Sequence, residues 1–215
     1  MVKHSLARWF CTAATVVVAV TVLAVTPAVV PTALPVARAA CPDVEVVFAR
    51  GRTEAPGSGA IGNAFTNALR SRIDKSMGVY AVRYPADTEV DIGANDMSQR
   101  IQNMVRDCPS TRLVVGGYSL GAAVADVVLA VPFDAFGFKN PLPANAADHI
   151  AAVALFGNGM SWVGPISNFS PVYRNRTIEL CHGADPICNP ADPNSWRDSW
   201  PDHLAAAYND AGMVN

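Results

Sequence analysis

Short apolar runs alternate along this chain with longer stretches in which apolar residues recur at helical spacing. Val44–Ala49 (VEVVFA) is β-branched and aromatic and reads as a buried strand. Val79–Tyr84 is a second strand, stopped by Pro85, and Leu113–Val115 is a third. Ile150–Phe156 (IAAVALF) and Thr177–Leu180 make the fourth and fifth. Between them, Ala64–Ile73 and Asp91–Val105 carry the helical period, with Ile92, Met97, Ile101, Met104 and Val105 as the inward positions of the second. Arg50–Gly62 and Phe133–Asp148, punctuated by glycine and proline, read as loops, and a short helix is expected near His203–Tyr208. Strands alternating with helices predict one α/β domain, with a mainly parallel sheet of five strands and helices on both faces.

The stretch Arg112–Val131 (RLVVGGYSLGAAVADVVLAV) carries the strongest chemical signal. It is strand, tight turn, helix, with Gly117-Tyr118-Ser119-Leu120-Gly121 spelling G-x-S-x-G at the turn. In that motif the serine sits on a strained elbow that lifts its hydroxyl above the sheet. Glycines flank it because strand and helix backbones pass so closely that a Cβ would clash. A Gly/Ser turn feeding a helix is the bland alternative, and the strand before it and helix after it favour the nucleophile.

The first forty residues differ from the rest. Lys3, His4 and Arg8 precede an apolar stretch from Trp9 to about Val30, and Ala37-Arg38-Ala39 supplies an A-x-A cleavage site. Residues 1–39 therefore read as a secretory signal peptide, and residues 40–215 as the folded domain. Pro27, Pro31 and Pro35 argue against a retained membrane anchor. Arg38 argues against Cys41 as a lipoprotein cysteine, because a small residue is expected three positions before one. A secreted chain of about 175 residues can bury a sizeable core. The formal net charge of −2, without single-sign runs, gives no footprint for nucleic acid or anionic membrane.

Loss of the leader leaves four cysteines: Cys41, Cys108, Cys181 and Cys188. In a sheet of order 2-1-3-4-5, Cys41 before strand one and Cys108 before strand three share the N-terminal edge. Cys181 directly follows strand five at the opposite edge. The expected disulfides are Cys41–Cys108 and Cys181–Cys188. No C-x-x-C pair or His-rich tract points to zinc, and no metal is expected. Gly57-Ser58-Gly59-Ala60-Ile61-Gly62 matches the dinucleotide fingerprint, but it starts seven residues beyond its strand. Strand two then ends in Arg83-Tyr84 where a ribose-binding carboxylate is wanted. A flexible loop is the better reading, and no organic cofactor is expected.

A serine nucleophile needs an adjacent base, itself oriented by a third group. The mature chain offers His149, His182 and His203. His149 precedes strand four, on the edge away from the elbow. His182 lies at the correct edge and competes. His203 lies after strand five, where α/β-hydrolases place their base, in the chain order Ser, acid, His. Asp185, between Cys181 and Cys188, is the candidate acid at a strand end. Asp192 and Asp198 are alternatives, and Asp202 is too close to His203 to reach it comfortably.

The mature chain resembles the cutinase-like serine esterases, most closely the secreted cutinase-like proteins of mycobacteria and related actinobacteria. The resemblance rests on Phe48-Ala49-Arg50-Gly51, Tyr84-Pro85-Ala86 and Gly116-Gly117-Tyr118-Ser119-Leu120-Gly121. The most specific match is Cys181-x-x-x-Asp185-Pro186-x-Cys188, followed by His203-Leu204. It implies a small α/β-hydrolase without a large lid, with Ser119, Asp185 and His203 as nucleophile, acid and base, and with both disulfides paired as above. It also implies an oxyanion hole from the backbone N–H groups of Leu120 and, in the loop after strand one, Arg52. Leu120 stands where the family usually has glutamine, and Arg52 where some members have a serine whose hydroxyl helps. Losing one oxyanion donor can cost 10²–10³ in rate. Relatives usually continue into a C-terminal helix, so a shortened C-terminus is also expected.

These readings converge on a secreted monomer that hydrolyses short- to medium-chain carboxylic esters or lipids through an acyl-enzyme. An acyltransferase with the same triad is one rival. A surface or antigenic protein with a decayed site is the other.

Overall fold

Every second side chain of a strand faces the same side, and in a parallel sheet covered by helices both sets must be apolar. The strand β1 (Val44–Ala49) shows this directly, with Val46 and Phe48 buried on one face and Val47 and Ala49 on the other. The computed structural model describes residues 40–189 and 196–215. The leader read in residues 1–39, and Asp192, lie outside the described residues.

With β1 run β2 (Met77–Ala81), β3 (Arg112–Tyr118), β4 (Ile150–Phe156) and β5 (Thr177–Leu180). They form one five-stranded sheet of order β2-β1-β3-β4-β5, parallel throughout. The helices are α1 (Gly59–Arg72), α2 (Val90–Asp107), α3 (Leu120–Ala130), α4 (Ile166–Phe169), α5 (Trp196–His203) and α6 (Ala205–Asp210). One core joins Val47, Leu113, Val115, Val153 and Leu155 of the sheet to Met97 and Ile101 of α2 and Val124 and Val128 of α3. The other joins Val46, Phe48, Val114 and Phe156 to Ile61 of α1 and Tyr208 of α6. No helix among the described residues is long and apolar enough to cross a membrane.

Both disulfides form as expected, Cys41–Cys108 and Cys181–Cys188, with Cα separations of 5.6 and 5.7 Å. The first ties the N-terminal edge of the sheet, and the second closes the turn after β5.

Several local expectations are corrected. β2 begins two residues earlier and ends at Ala81 rather than Tyr84. Beyond it, Asp96 accepts the Arg83 N–H, and Tyr84 turns inward to donate its hydroxyl to the Arg50 carbonyl. β3 extends through Gly116, Gly117 and Tyr118, because these residues still pair with β1 or β4. The glycine cluster is not all loop: Gly59–Gly62 is the first turn of α1. The Glu54 carboxylate accepts the Ala60 N–H there, taking the place of an N-cap side chain. Ile92 is exposed rather than inward. Gly93 and Ala94 take the inward positions instead, letting α2 approach Tyr84 and Val124 closely. The C-terminal helix is two helices, with extended backbone at Leu204 separating α5 from α6.

Candidate active site

At the end of β3 the chain reverses within one residue. Ser119 has φ 55° and ψ −119°, a left-handed conformation that non-glycine residues adopt only when their surroundings hold them there. Its N–H donates to the Phe156 carbonyl of β4 at 2.9 Å, pinning the elbow to the sheet. A Cβ at Gly117 would overlap the Gly121 carbonyl, and one at Gly121 would overlap the Ala49 carbonyl. The two glycines are thus the condition for α3 to leave so tightly. Leu120 opens α3, so its N–H has no acceptor within the helix.

The structure brings three sequence-selected residues into one hydrogen-bonded series. Ser119 Oγ lies 2.8 Å from His203 Nε2, and His203 Nδ1 lies 2.8 Å from Asp185 Oδ2. Asp185 is fully buried and His203 nearly so. Burial alone would raise the Asp185 carboxyl, but hydrogen bonds from His203, Tyr208 and the Ile187 N–H outweigh it and hold it below its ordinary value. The ionised carboxylate makes Nδ1 the donor, which leaves Nε2 free to accept the Ser119 hydroxyl proton.

Tyr208 was missed in the sequence. Its hydroxyl donates to Asp185 Oδ2 at 2.6 Å and accepts the His182 N–H at 3.1 Å. Burial, then the adjacent carboxylate, raises the pKa of this phenol, so it stays a donor. Tyr118 donates its hydroxyl to the His203 carbonyl and stacks on the imidazole at 5.4 Å. Gly157, at φ 54°, leaves room for this assembly, since a Cβ there would sit about 3 Å from Tyr208, Asp185 and His203. The only sequence signal for Tyr118 was its place inside the elbow motif; Tyr208 gave none.

The other candidates lie elsewhere. His182 packs on Tyr208, with Asp202 3.5 Å from its Nδ1. Asp202 accepts the Ala184 N–H and so braces the turn before Asp185. His149 sits at the opposite edge, where its carbonyl accepts the Leu113 N–H, and Asp198 belongs to the first turn of α5. The Cys181 and Cys188 sulfurs lie near the Asp185 carboxylate but are bonded to each other, so they offer no thiolate to a metal.

Arg52 lies in the turn after β1, beside the crevice that holds Ser119. Its guanidinium pairs with Asp87 at 2.8 Å on the exposed surface. Thr53 has φ 63°, and the turn is held from beneath. Glu54 Oε2 accepts the Gly51 N–H at 2.6 Å, and the buried Arg50 donates to the carbonyls of Glu54, Tyr84 and Pro85. The crevice has a volume of about 820 Å³. Val90, Met160, Ile187, Trp196, Trp200 and Leu204 give it apolar walls. Trp200 lies 5.0 Å from the His203 ring and stacks on Trp196.

The chain is similar in sequence or in fold to several known proteins. Probable carboxylesterase Culp2 of Mycobacterium tuberculosis is 66% identical over 198 residues, covering 90% of this chain and 86% of that protein. Phospholipase Culp4 of M. tuberculosis is 49% identical over 197 residues, covering 88% and 86%. Among solved structures, a Trichoderma reesei cutinase with a phosphonate inhibitor superposes with a TM-score of 0.57 at 28% identity, covering 81% and 78%. The catalytic core of a T. reesei acetyl xylan esterase shares the fold, with a TM-score of 0.62 at 23% identity, covering 82% and 98%. The sequence model of the cutinase family matches residues 40–211. On that match and these identities, the chain belongs to the cutinase family of hydrolases.

Proposed function

We propose that the chain is a secreted carboxylic-ester hydrolase working through an acyl-enzyme on Ser119. The observation that carries this is the series Ser119 Oγ, His203 Nε2, His203 Nδ1, Asp185 Oδ2, with 2.8 Å at each hydrogen bond. Ser119 Oγ attacks the ester carbonyl while His203 Nε2 takes its proton. The imidazolium so formed is stabilised by Asp185 and returns the proton to the departing alkoxide oxygen. Water then attacks the acyl-enzyme, His203 again takes and returns a proton, and the carboxylic acid leaves. The backbone N–H groups of Leu120 and Arg52 stabilise the oxyanion. Because those donors are backbone, neither the leucine nor the arginine side chain removes them, and the Arg52 guanidinium is held by Asp87.

The apolar crevice favours acyl esters, and the relatives named carboxylesterase and phospholipase support the same class. Residues 1–39 act as the secretory leader and residues 40–215 as the catalytic domain, which works as a monomer without nucleic acid or cofactor. The two disulfides favour an oxidising, extracellular setting.

The test is hydrolysis of p-nitrophenyl esters by the mature chain beside Ser119→Ala, with folding followed by circular dichroism. Turnover falling at least 10³-fold in the folded variant is expected. A folded wild type inert on every ester would refute the proposal.

A further inference from the structure

The catalytic crevice does not end at the triad. Met160 lines both that crevice and a second cavity of about 160 Å³ beside α3. Val127, Ala130, Val131, Val163 and Phe169 give this second cavity its apolar lining. Ala130, Val131 and Phe169 in turn line a third cavity, of about 320 Å³, beyond the C-terminus of α3. The three adjoin through shared residues along one flank of α3, the helix that follows Ser119.

Along Val127, Ala130 and Val131 the flank is mainly apolar and accessible. Val163, Phe169 and Val172 border it and are 43%, 53% and 52% exposed. Contiguous exposed apolar surface marks a site of interaction. Asp126, the acidic residue that lines the second cavity, has both carboxyl oxygens sealed from solvent, so it presents hydrocarbon to the groove. From Ser119 to Ala130 the helical rise amounts to about 16 Å. That is the length of roughly a dozen methylenes in an extended chain.

We infer that this flank of α3 is an acyl-chain track. The carbonyl end of a long acyl group sits at Ser119, and its tail passes Met160 and lies along Val127, Ala130 and Val131 beneath Phe169. The inference deepens the esterase reading and rests on it. Its occupant follows from continuity, because Met160 joins the groove to the crevice where the acyl group is held. Short acyl chains end within the crevice, whereas chains of about twelve carbons or more reach the track. Each methylene buried there is worth roughly a threefold to fourfold gain in kcat/KM.

The experiment compares p-nitrophenyl butyrate and palmitate with wild type and two track-filling variants, Ala130→Phe and Val127→Phe. The palmitate-to-butyrate ratio of kcat/KM is expected to fall at least tenfold in each variant. Phe136→Ser, a fully exposed aromatic outside the track, should leave the ratio unchanged. In parallel, palmitate binding to Ser119→Ala is measured by calorimetry with and without Ala130→Phe, and the added substitution should abolish it. An unchanged ratio in both folded variants, or no palmitate binding to Ser119→Ala, overturns the track. If wild type turns over neither ester, the esterase reading fails by itself, and palmitate binding then decides the track alone. If a filling variant does not fold, the other is read in its place.

Discussion

Asp126 stands two turns into α3 with both carboxyl oxygens sealed from water and, among the described residues, without a hydrogen-bond partner. The amide of Asn158 is close but out of hydrogen-bond geometry, and its nitrogen is likewise unpartnered. Burial raises the carboxyl pKa; Asn158 lowers it somewhat, and Glu179 raises it further, to about 7 from an ordinary value near 3.8. The folded state therefore binds a proton that the unfolded state releases between about pH 4 and pH 7. Stability from this group is fully present below the unfolded pKa and is lost as pH rises through the folded one. At 1.36 kcal/mol per pH unit, the ionised carboxylate costs the fold about 4 kcal/mol at pH 8.

Asp126→Asn keeps the shape and removes the charge. Urea unfolding with the disulfides intact, followed by tryptophan fluorescence at pH 4, 6 and 8, measures the effect. The variant should match wild type at pH 4 and exceed it at pH 8 by an amount approaching ~4 kcal/mol. Other titrating groups contribute equally to both proteins and cancel in the difference. A difference independent of pH, or a variant less stable than wild type at pH 8, would refute the reasoning.

Tyr208→Phe removes one donor from Asp185 without changing ring packing. The Asp185 pKa should rise, kcat should fall about tenfold, and the acid limb of the pH–rate profile should move upward. Opening the small disulfide with Cys181→Ser and Cys188→Ser together frees the turn that carries Asp185, so kcat should fall more than KM rises. The bidentate pair of Arg100 with the buried Glu45, at 2.6 and 2.5 Å, anchors α2 to β1. Arg100→Met strands that carboxylate and should cost about 3 kcal/mol in urea unfolding, with little change in kcat.

Much of this architecture could be read from the residues alone, for local reasons. The apolar run of β4 is continuous and that of β1 is broken only by Glu45, and only a strand covered on both faces needs such runs. G-x-S-x-G between a strand and a helix demands an elbow, because nothing larger than glycine fits where the two backbones cross. With strand order in hand, the cysteines could be assigned to edges. The chain order of serine, acid and histidine favoured Ser119, Asp185 and His203 but left His182, Asp192 and Asp198 open, and only the resemblance to cutinase-like esterases singled out the three.

What the sequence left open depends on partners far apart in the chain. Tyr118 and His203 are 85 residues apart, and Tyr208 reaches Asp185 across 23. No periodicity announces such a pair, because a side-chain hydrogen bond depends on two separately folded elements arriving within 3 Å. Competition among contacts moved the boundaries too. Glu54 recruited the start of α1, Asp96 drew Arg83 out of the sheet, and Gly93 and Ala94 displaced Ile92 from the inner face of α2. Helical spacing ranks residues by hydrophobicity, whereas close packing of α2 on α3 selects by size. Choosing between His182 and His203, and isolating the Asp126 carboxyl, likewise required the tertiary structure, because each depends on which elements surround the side chain.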